Sequence, residues 1–318
     1  MHPPAPPRRL PAIDGGLGID QPQGGATIRR FSHEAMATVY ELYIASADHD
    51  YASQAARAAF DLIDRLENEL SRFIPNSDIS RVSQLAAGEA TQVGAAALEC
   101  LLIARHMFEL TGGRFDVSIG TGLLSLEIDA EASIVRSTRS GVRVDLGGIG
   151  KGYAVDLIGE LLEEWELGEA LVHGGFSSVL ALEGPSGAAG WPLTLSDPNR
   201  PSRVLTRLNV HQAALGASGI RKKDHIVDPR TGVPVRGRLA SWAAVPRPVT
   251  GSGSPGDGPR LAAAAVTDAL TTALMMLSPE EIGELCKRSP GLEAWILPEP
   301  VGSASEAPAL IHFGSPAV

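Results

Sequence analysis

Apolar residues along this chain follow two rhythms, one of about 3.6 residues and one of two, and the second takes over past the middle. Ala59, Ile63, Leu66 and Leu70 share one face of a helix expected over 50–73. Leu98, Leu101, Leu102 and Met107 mark another over 92–110, with Gly112 and Gly113 as its stop. The polar, proline-broken stretch 71–81 reads as a loop or short turn, and 37–44 (Val39, Leu42 and Ile44 among Thr38, Tyr40 and Tyr43) as a strand led in by residues 31–36. Between Gly120 and Val142 no pattern stands out. A helix runs from Tyr153 to about Leu167 with Glu160, Glu163, Glu164 and Glu166 on a solvated face. Residues 171–172, 179–182, 193–195, 204–210 and 240–245 then read as strands between Gly, Pro and Asn turns. An alanine-rich helix over 261–277 follows, then a capping box at Ser278-Pro279-Glu280-Glu281 that starts a last helix, and closing strands at 295–297 and 310–313. Helices followed by a run of strands predict an α+β fold, with helices packed on a largely antiparallel sheet.

Composition narrows the class. With 318 residues, 44% hydrophobic and 20% charged, the chain reads as an ordinary soluble globular protein. Residues 1–27 form a Pro/Gly-rich tail expected to be disordered, 28–318 a single domain of two intimate lobes, and 246–260 a flexible surface insertion. A net charge of −10 argues against non-specific binding to nucleic acid or anionic membrane, so an anionic ligand would need bound cations or backbone amides. Cys100 and Cys286 lack metal-ligand spacing and read as buried free thiols. The tail has neither an apolar signal core nor an early lipid-accepting cysteine, and no run is long enough to span a membrane; the expected location is cytoplasmic.

Candidate chemistry concentrates in a few places. Val142 and Val144 alternate as in a short strand, Gly147, Gly148, Gly150 and Gly152 form a turn, and a helix begins just beyond. Such a turn lets backbone N–H groups approach a phosphate, while the helix N-terminus and Lys151 add positive charge. It is neither a Walker A loop, which needs glycine at Asp145 and Ser or Thr at Gly152, nor a dinucleotide fingerprint, whose last glycine would fall at Tyr153 or Val155. On the alanine-rich helix Asp268, Thr271 and Thr272 lie at i, i+3 and i+4. They fit a Mg²⁺ site of hard oxygens completed by phosphate, or else a solvated carboxylate with threonines bonded to their own helix. His225, between Asp224 and Asp228, is a candidate acid or base, or a structural turn residue. Asp116 and Asp145 could accept from a ligand or from local backbone; Met36, Phe73 and Phe115 could pack on a flat ring or simply on the core.

Taken in order, these segments resemble the FAD:protein FMN transferases, the ApbE-like flavin transferases. The motifs are Met36-Ala-Thr38; Leu70-Ser-Arg-Phe73 with Ser77-Asp-Ile-Ser-Arg81; Gly113-Arg-Phe-Asp116; Asp145 through Asp156; Gly174-Gly175; Ser218-Gly219; His225 through Gly232; and Asp268-Ala-Leu-Thr-Thr272. The resemblance implies the ApbE-like, T-fold-related α+β architecture with an active-site cleft between two lobes. It implies that Met36, Phe73, Arg114, Phe115, Asp116, Asp145, Lys151 and Val227 line an FAD site, and that Asp268, Thr272, Thr271 and the Gly148 carbonyl hold Mg²⁺. The implied reaction moves the FMN half of FAD to a Ser or Thr of an acceptor protein and releases AMP; His225 is the candidate to handle the hydroxyl proton. Phe73 stands where the family usually has Tyr, Ser83 where it often has Asn, Phe176 where it has Asp and Ile220 where it has Tyr. These changes leave two other readings open, an FAD pyrophosphatase giving FMN and AMP, and a non-enzymatic FAD-binding protein.

Overall fold

The computed structural model describes residues 17–19, 27–175, 177–220, 226–247, 262–300 and 308–315. In chain order the first half contains β1 (Leu17–Ile19), β2 (Ile28–Ala35), β3 (Thr38–Ala45), α1 (His49–Leu70), α2 (Asp78–Ser83), β4 (Ala90–Gln92), α3 (Ala95–Leu110), β5 (Leu126–Asp129), β6 (Ile134–Ser137) and α4 (Gly150–Glu164). The second half contains β7 (Ala170–Gly174), β8 (Ser178–Ala181), β9 (Trp191–Asp197), β10 (Arg200–Val210), β11 (Ala213–Gly219), β12 (Val227–Asp228), β13 (Val233–Pro234) and β14 (Arg238–Pro246). It closes with α5 (Ala263–Leu274), α6 (Pro279–Arg288), β15 (Glu293–Pro298) and β16 (Ile311–Phe313).

Eight antiparallel strands, ordered β16-β15-β14-β11-β8-β7-β3-β2, form the central sheet. Because side chains alternate across a strand, each central strand feeds two cores. Val172, Leu180, Ala214 and Ala243 join the core under α1, α3, α4 and α5. Leu171, Val179, Leu215 and Trp242 face the other way, onto Trp191, Leu193 and Leu195 of the three-stranded sheet β1-β9-β10. The helices and the α+β class follow the expected pattern, and the capping box at Ser278 and Glu281 is present at the start of α6. Among the described residues no helix is long and apolar enough to cross a membrane, and Cys100 and Cys286 are free and buried.

Several expectations change. Leu17–Ile19, assigned to the tail, pairs with β9 at its otherwise open edge. The lead-in to the first strand is itself β2, an edge strand whose polar residues hide it from periodicity. The expected loop 71–81 ends in α2, which Ser77 caps by accepting from Ser80 N at 3.0 Å. The unassigned stretch contributes β5 and β6, which join β4 in a small sheet. Most of the 246–260 insertion lies outside the described residues.

Close helix packing places the chemistry. Gly152 at the start of α4 lies against the backbone of α5; a Cβ there would overlap the Ala264 carbonyl and come within 2.7 Å of the Ala265 nitrogen. Beneath α5, β11 is built from small residues. A Cβ on its Gly216 would sit 2.8 Å from the Thr267 carbonyl, so only glycine lets α5 rest on the sheet.

Candidate active site

The N-terminus of α4 and the Asp268–Thr272 face of α5 form one wall of a cleft of about 890 Å³. Its rim and walls come from the β2–β3 turn, the end of α1 with Ser71, Arg72 and Phe73, the 114–119 loop, the 145–148 turn, Lys151, the end of β11, the 226–229 segment and α5. Met36, Phe73, Arg114, Phe115, Asp116, Asp145, Gly148, Lys151, Val227, Asp268 and Thr272 all line this single space. His225 lies outside the described residues, as does Phe176. Thr271 does not reach the cleft: it is fully buried, its hydroxyl accepting from Ser218 Oγ at 3.0 Å and donating to the Asp268 carbonyl at 3.0 Å.

At the floor, Asp145 caps the turn Leu146–Gly148 by accepting from Gly147 N at 2.9 Å, and its other oxygen pairs with Arg72 Nε at 3.0 Å. Arg72 in turn stacks 4.4 Å over the Phe73 ring, which is 78% exposed at the rim and therefore available to another flat surface. Lys151 Nζ donates to the Gly147 carbonyl at 3.2 Å and stands 3.9 Å from Asp268 Oδ2. Gly148 sits between the Phe115 ring and the Thr272 hydroxyl, 3.1 and 3.6 Å respectively from where its Cβ would be.

Asp268 is 5% exposed, yet each carboxylate oxygen has a partner: Oδ2 accepts from Gly152 N at 2.9 Å and Oδ1 from Ser178 Oγ at 2.5 Å. Burial pushes its pKa upward, opposed first by Lys151, then by Ser178 and Gly152. Thr272 Oγ1 makes only a 3.3 Å bond to the Asp268 carbonyl, so its lone pairs remain to face the cleft. A carboxylate, a hydroxyl and a nearby peptide carbonyl are the hard oxygens that Mg²⁺ prefers. Among the described residues no group of three His, Cys, Asp or Glu could hold a metal, so an ion here would depend on oxygens from a bound phosphate.

Two other lining residues also have partners within the protein. Asp116 is turned to its own loop, accepting from Ser118 N at 2.8 Å, Ser118 Oγ at 2.7 Å and Gly120 N at 2.9 Å. Arg114 ion-pairs with Glu281 of the α6 capping box while its Nε finds no partner. Ser178 was not foreseen, because its partner lies 90 residues away and no local pattern marks it.

The β2–β3 turn is strained. Met36 and Ala37 both have positive φ, 50° and 57°, in a two-residue hairpin turn whose usual occupants are Asn-Gly. Met36 is held there with its sulfur accepting from the Tyr40 hydroxyl at 3.1 Å. Replacing Met36-Ala37 by Asn-Gly is therefore expected to stabilise the protein by about 1–2 kcal/mol, relieving two left-handed residues. Thermal unfolding of the variant beside the wild-type protein reads the gain.

Known proteins share this sequence pattern and this fold. A sequence model of the ApbE family matches residues 36–123 and 121–254. A Klebsiella pneumoniae (strain 342) protein named FAD:protein FMN transferase is 22% identical over 91% of this chain and 93% of its own length. Among solved structures, the flavin transferase ApbE from Vibrio cholerae superposes with a TM-score of 0.74 at 18% identity, covering 91% of this chain and 97% of that one. The apo flavinyl transferase ApbE of Pseudomonas stutzeri gives a TM-score of 0.74 at 19% identity, covering 91% and 95%.

Proposed function

This chain belongs to the ApbE family, and on that premise we propose that it transfers the FMN moiety of FAD to a Ser or Thr hydroxyl of an acceptor protein. The hydroxyl oxygen attacks the flavin-side phosphorus, the bond from that phosphorus to the bridging oxygen breaks, and AMP leaves with the bridging oxygen. The one observation that carries the reading is that the Lys151 turn and the Asp268–Thr272 face of α5 open on the same cleft.

The chain's own groups have distinct tasks. Lys151 and the backbone amides of Gly150 and Lys151, at the start of α4 on the cleft, bind the diphosphate and stabilise negative charge growing on the leaving AMP. Asp268, Thr272 and the Gly148 carbonyl would hold Mg²⁺, which supplies Lewis-acid stabilisation of the same charge. Phe73, Met36 and Val227 offer the apolar surface for the rings of FAD. His225, an imidazole between Asp224 and Asp228 in the sequence, is assigned the acceptor's hydroxyl proton.

The test is incubation with FAD, Mg²⁺ and candidate acceptor proteins. Covalent flavin fluorescence on the acceptor and AMP in equal amounts are expected, both lost with chelator. FAD binding with neither product would refute transfer, and AMP formed equally without acceptor would show hydrolysis instead.

A further inference from the structure

Neither α4 nor α5 has a side-chain cap of its own: Ile149 and Ala262 occupy the capping positions and neither makes a capping bond. Each helix is capped by the other. Asp268 of α5 accepts from Gly152 N, in the first turn of α4, at 2.9 Å. Asp156 of α4 accepts from Ala264 N at 3.0 Å and Ala265 N at 2.9 Å, in the first turn of α5. The three bonds close a ring through both helices, and the contact of Gly152 on the α5 backbone leaves no slack inside it. Asp156 is buried and does not line the cleft, so no substrate contact accounts for a carboxylate there. Burial pushes its pKa up to about 7, against the opposing pull of the two amides and Arg247. A charge kept in such a place is costly unless it is fully used.

We propose that Asp156 is a positioning residue for the metal site: by capping α5 from α4 it fixes the rotation and advance of α5, and so where Asp268 and Thr272 face the Gly148 turn. The chain of contact is short. Ala264 precedes Asp268 by four residues, on the same helix face, so the backbone group that Asp156 holds lies one turn from the ligand. Loss of the cap frees two helix donors and lets α5 shift relative to the floor that carries Gly148 and Lys151. A carboxylate and a hydroxyl on one helix and a carbonyl on another segment then no longer meet at one point. The inference rests on the Mg²⁺ reading above, and concerns affinity for the ion rather than the chemistry itself.

The test uses the full chain with excess FAD and no acceptor, with Mn²⁺ as the probe and free Mn²⁺ read by electron paramagnetic resonance. Asp156→Ala is expected to raise the Mn²⁺ Kd by roughly 10–100-fold, with Asp156→Asn at the lower end, since its one carbonyl oxygen still accepts one of the two amides. Tyr153→Phe serves as the control for mere loss of stability. It removes the 2.6 Å bond from α4 to Glu99 on α3, outside the ring, and should lower the Tm without altering the Mn²⁺ Kd. If Asp156→Ala fails to fold, Asp156→Asn decides alone. A Kd within twofold of wild type in the Asp156 variants would overturn the inference, as would equal weakening in Tyr153→Phe. Absence of Mn²⁺ binding in the wild-type protein would remove the metal reading itself, and only that failure shows in the wild-type sample.

Discussion

Asp268→Asn is expected to lower FMN transfer about a thousandfold while the protein stays folded. The substitution keeps the shape of the carboxylate. Its amide oxygen can still accept from Gly152 N, and Ser178 can turn its hydroxyl to accept from the new NH₂ group, so neither partner is orphaned. What disappears is charge, and with it the hard ligand that the proposed function assigns to a divalent ion, and the partner of Lys151. Because burial already works against the ionised form of Asp268, its loss should leave the Tm unchanged or slightly higher. Asp268→Ala is the poorer test, since it also strands the Gly152 amide and the Ser178 hydroxyl, each at about 1–3 kcal/mol. Acceptor flavinylation and AMP release, measured beside thermal unfolding, separate the two effects. Near wild-type turnover in Asp268→Asn would mean that the carboxylate is structural.

Gly152→Ala is expected to destabilise the protein strongly through a single methyl group. The added carbon meets backbone on α5 rather than the end of a flexible side chain, so the helices themselves must part. Overpacking of this kind costs about 3 kcal/mol, a fall of roughly 5 °C in Tm for a domain of this size. Separation of the helices also lengthens the Gly152–Asp268 bond, so flavin transfer should fall further than the stability loss explains. Gly168→Ala is the matched control: nothing lies within 4 Å of its Cβ position, and a change of no more than about 0.5 kcal/mol is expected. Equal, small effects at the two glycines would show that α4 and α5 are not locked together at this point.

What could be read along the chain was what is local. The helices carry apolar stripes of ordinary period, and the glycine turn with Lys151 and the Asp268-Ala-Leu-Thr-Thr272 segment are contiguous, so their chemistry shows in a few residues. That they share a cleft follows from the sheet order and could not be read from spacing. The same limit hid Ser178 and Asp156, whose partners lie 90 and 108 residues away. Asp156 even closed the glycine-rich motif without acquiring a task, because a cap delivered from another helix leaves no mark beside the helix it caps. β11 was missed for a different reason: Ala213–Gly219 has poor strand propensity, and its small residues are there to admit α5. Thr271 and Thr272 looked equivalent at i+3 and i+4. One helical step separates a hydroxyl sealed against Ser218 from one that opens on the cleft.

The cleft wall where α4 and α5 meet is therefore the centre of the proposed chemistry, and crystals soaked with FAD and Mn²⁺ test it most directly. Anomalous scattering is predicted to place one ion between Asp268, Thr272 and the Gly148 carbonyl, touching a diphosphate that lies along Lys151 and the first turn of α4. An ion found elsewhere, or a diphosphate bound away from Lys151, would contradict the account.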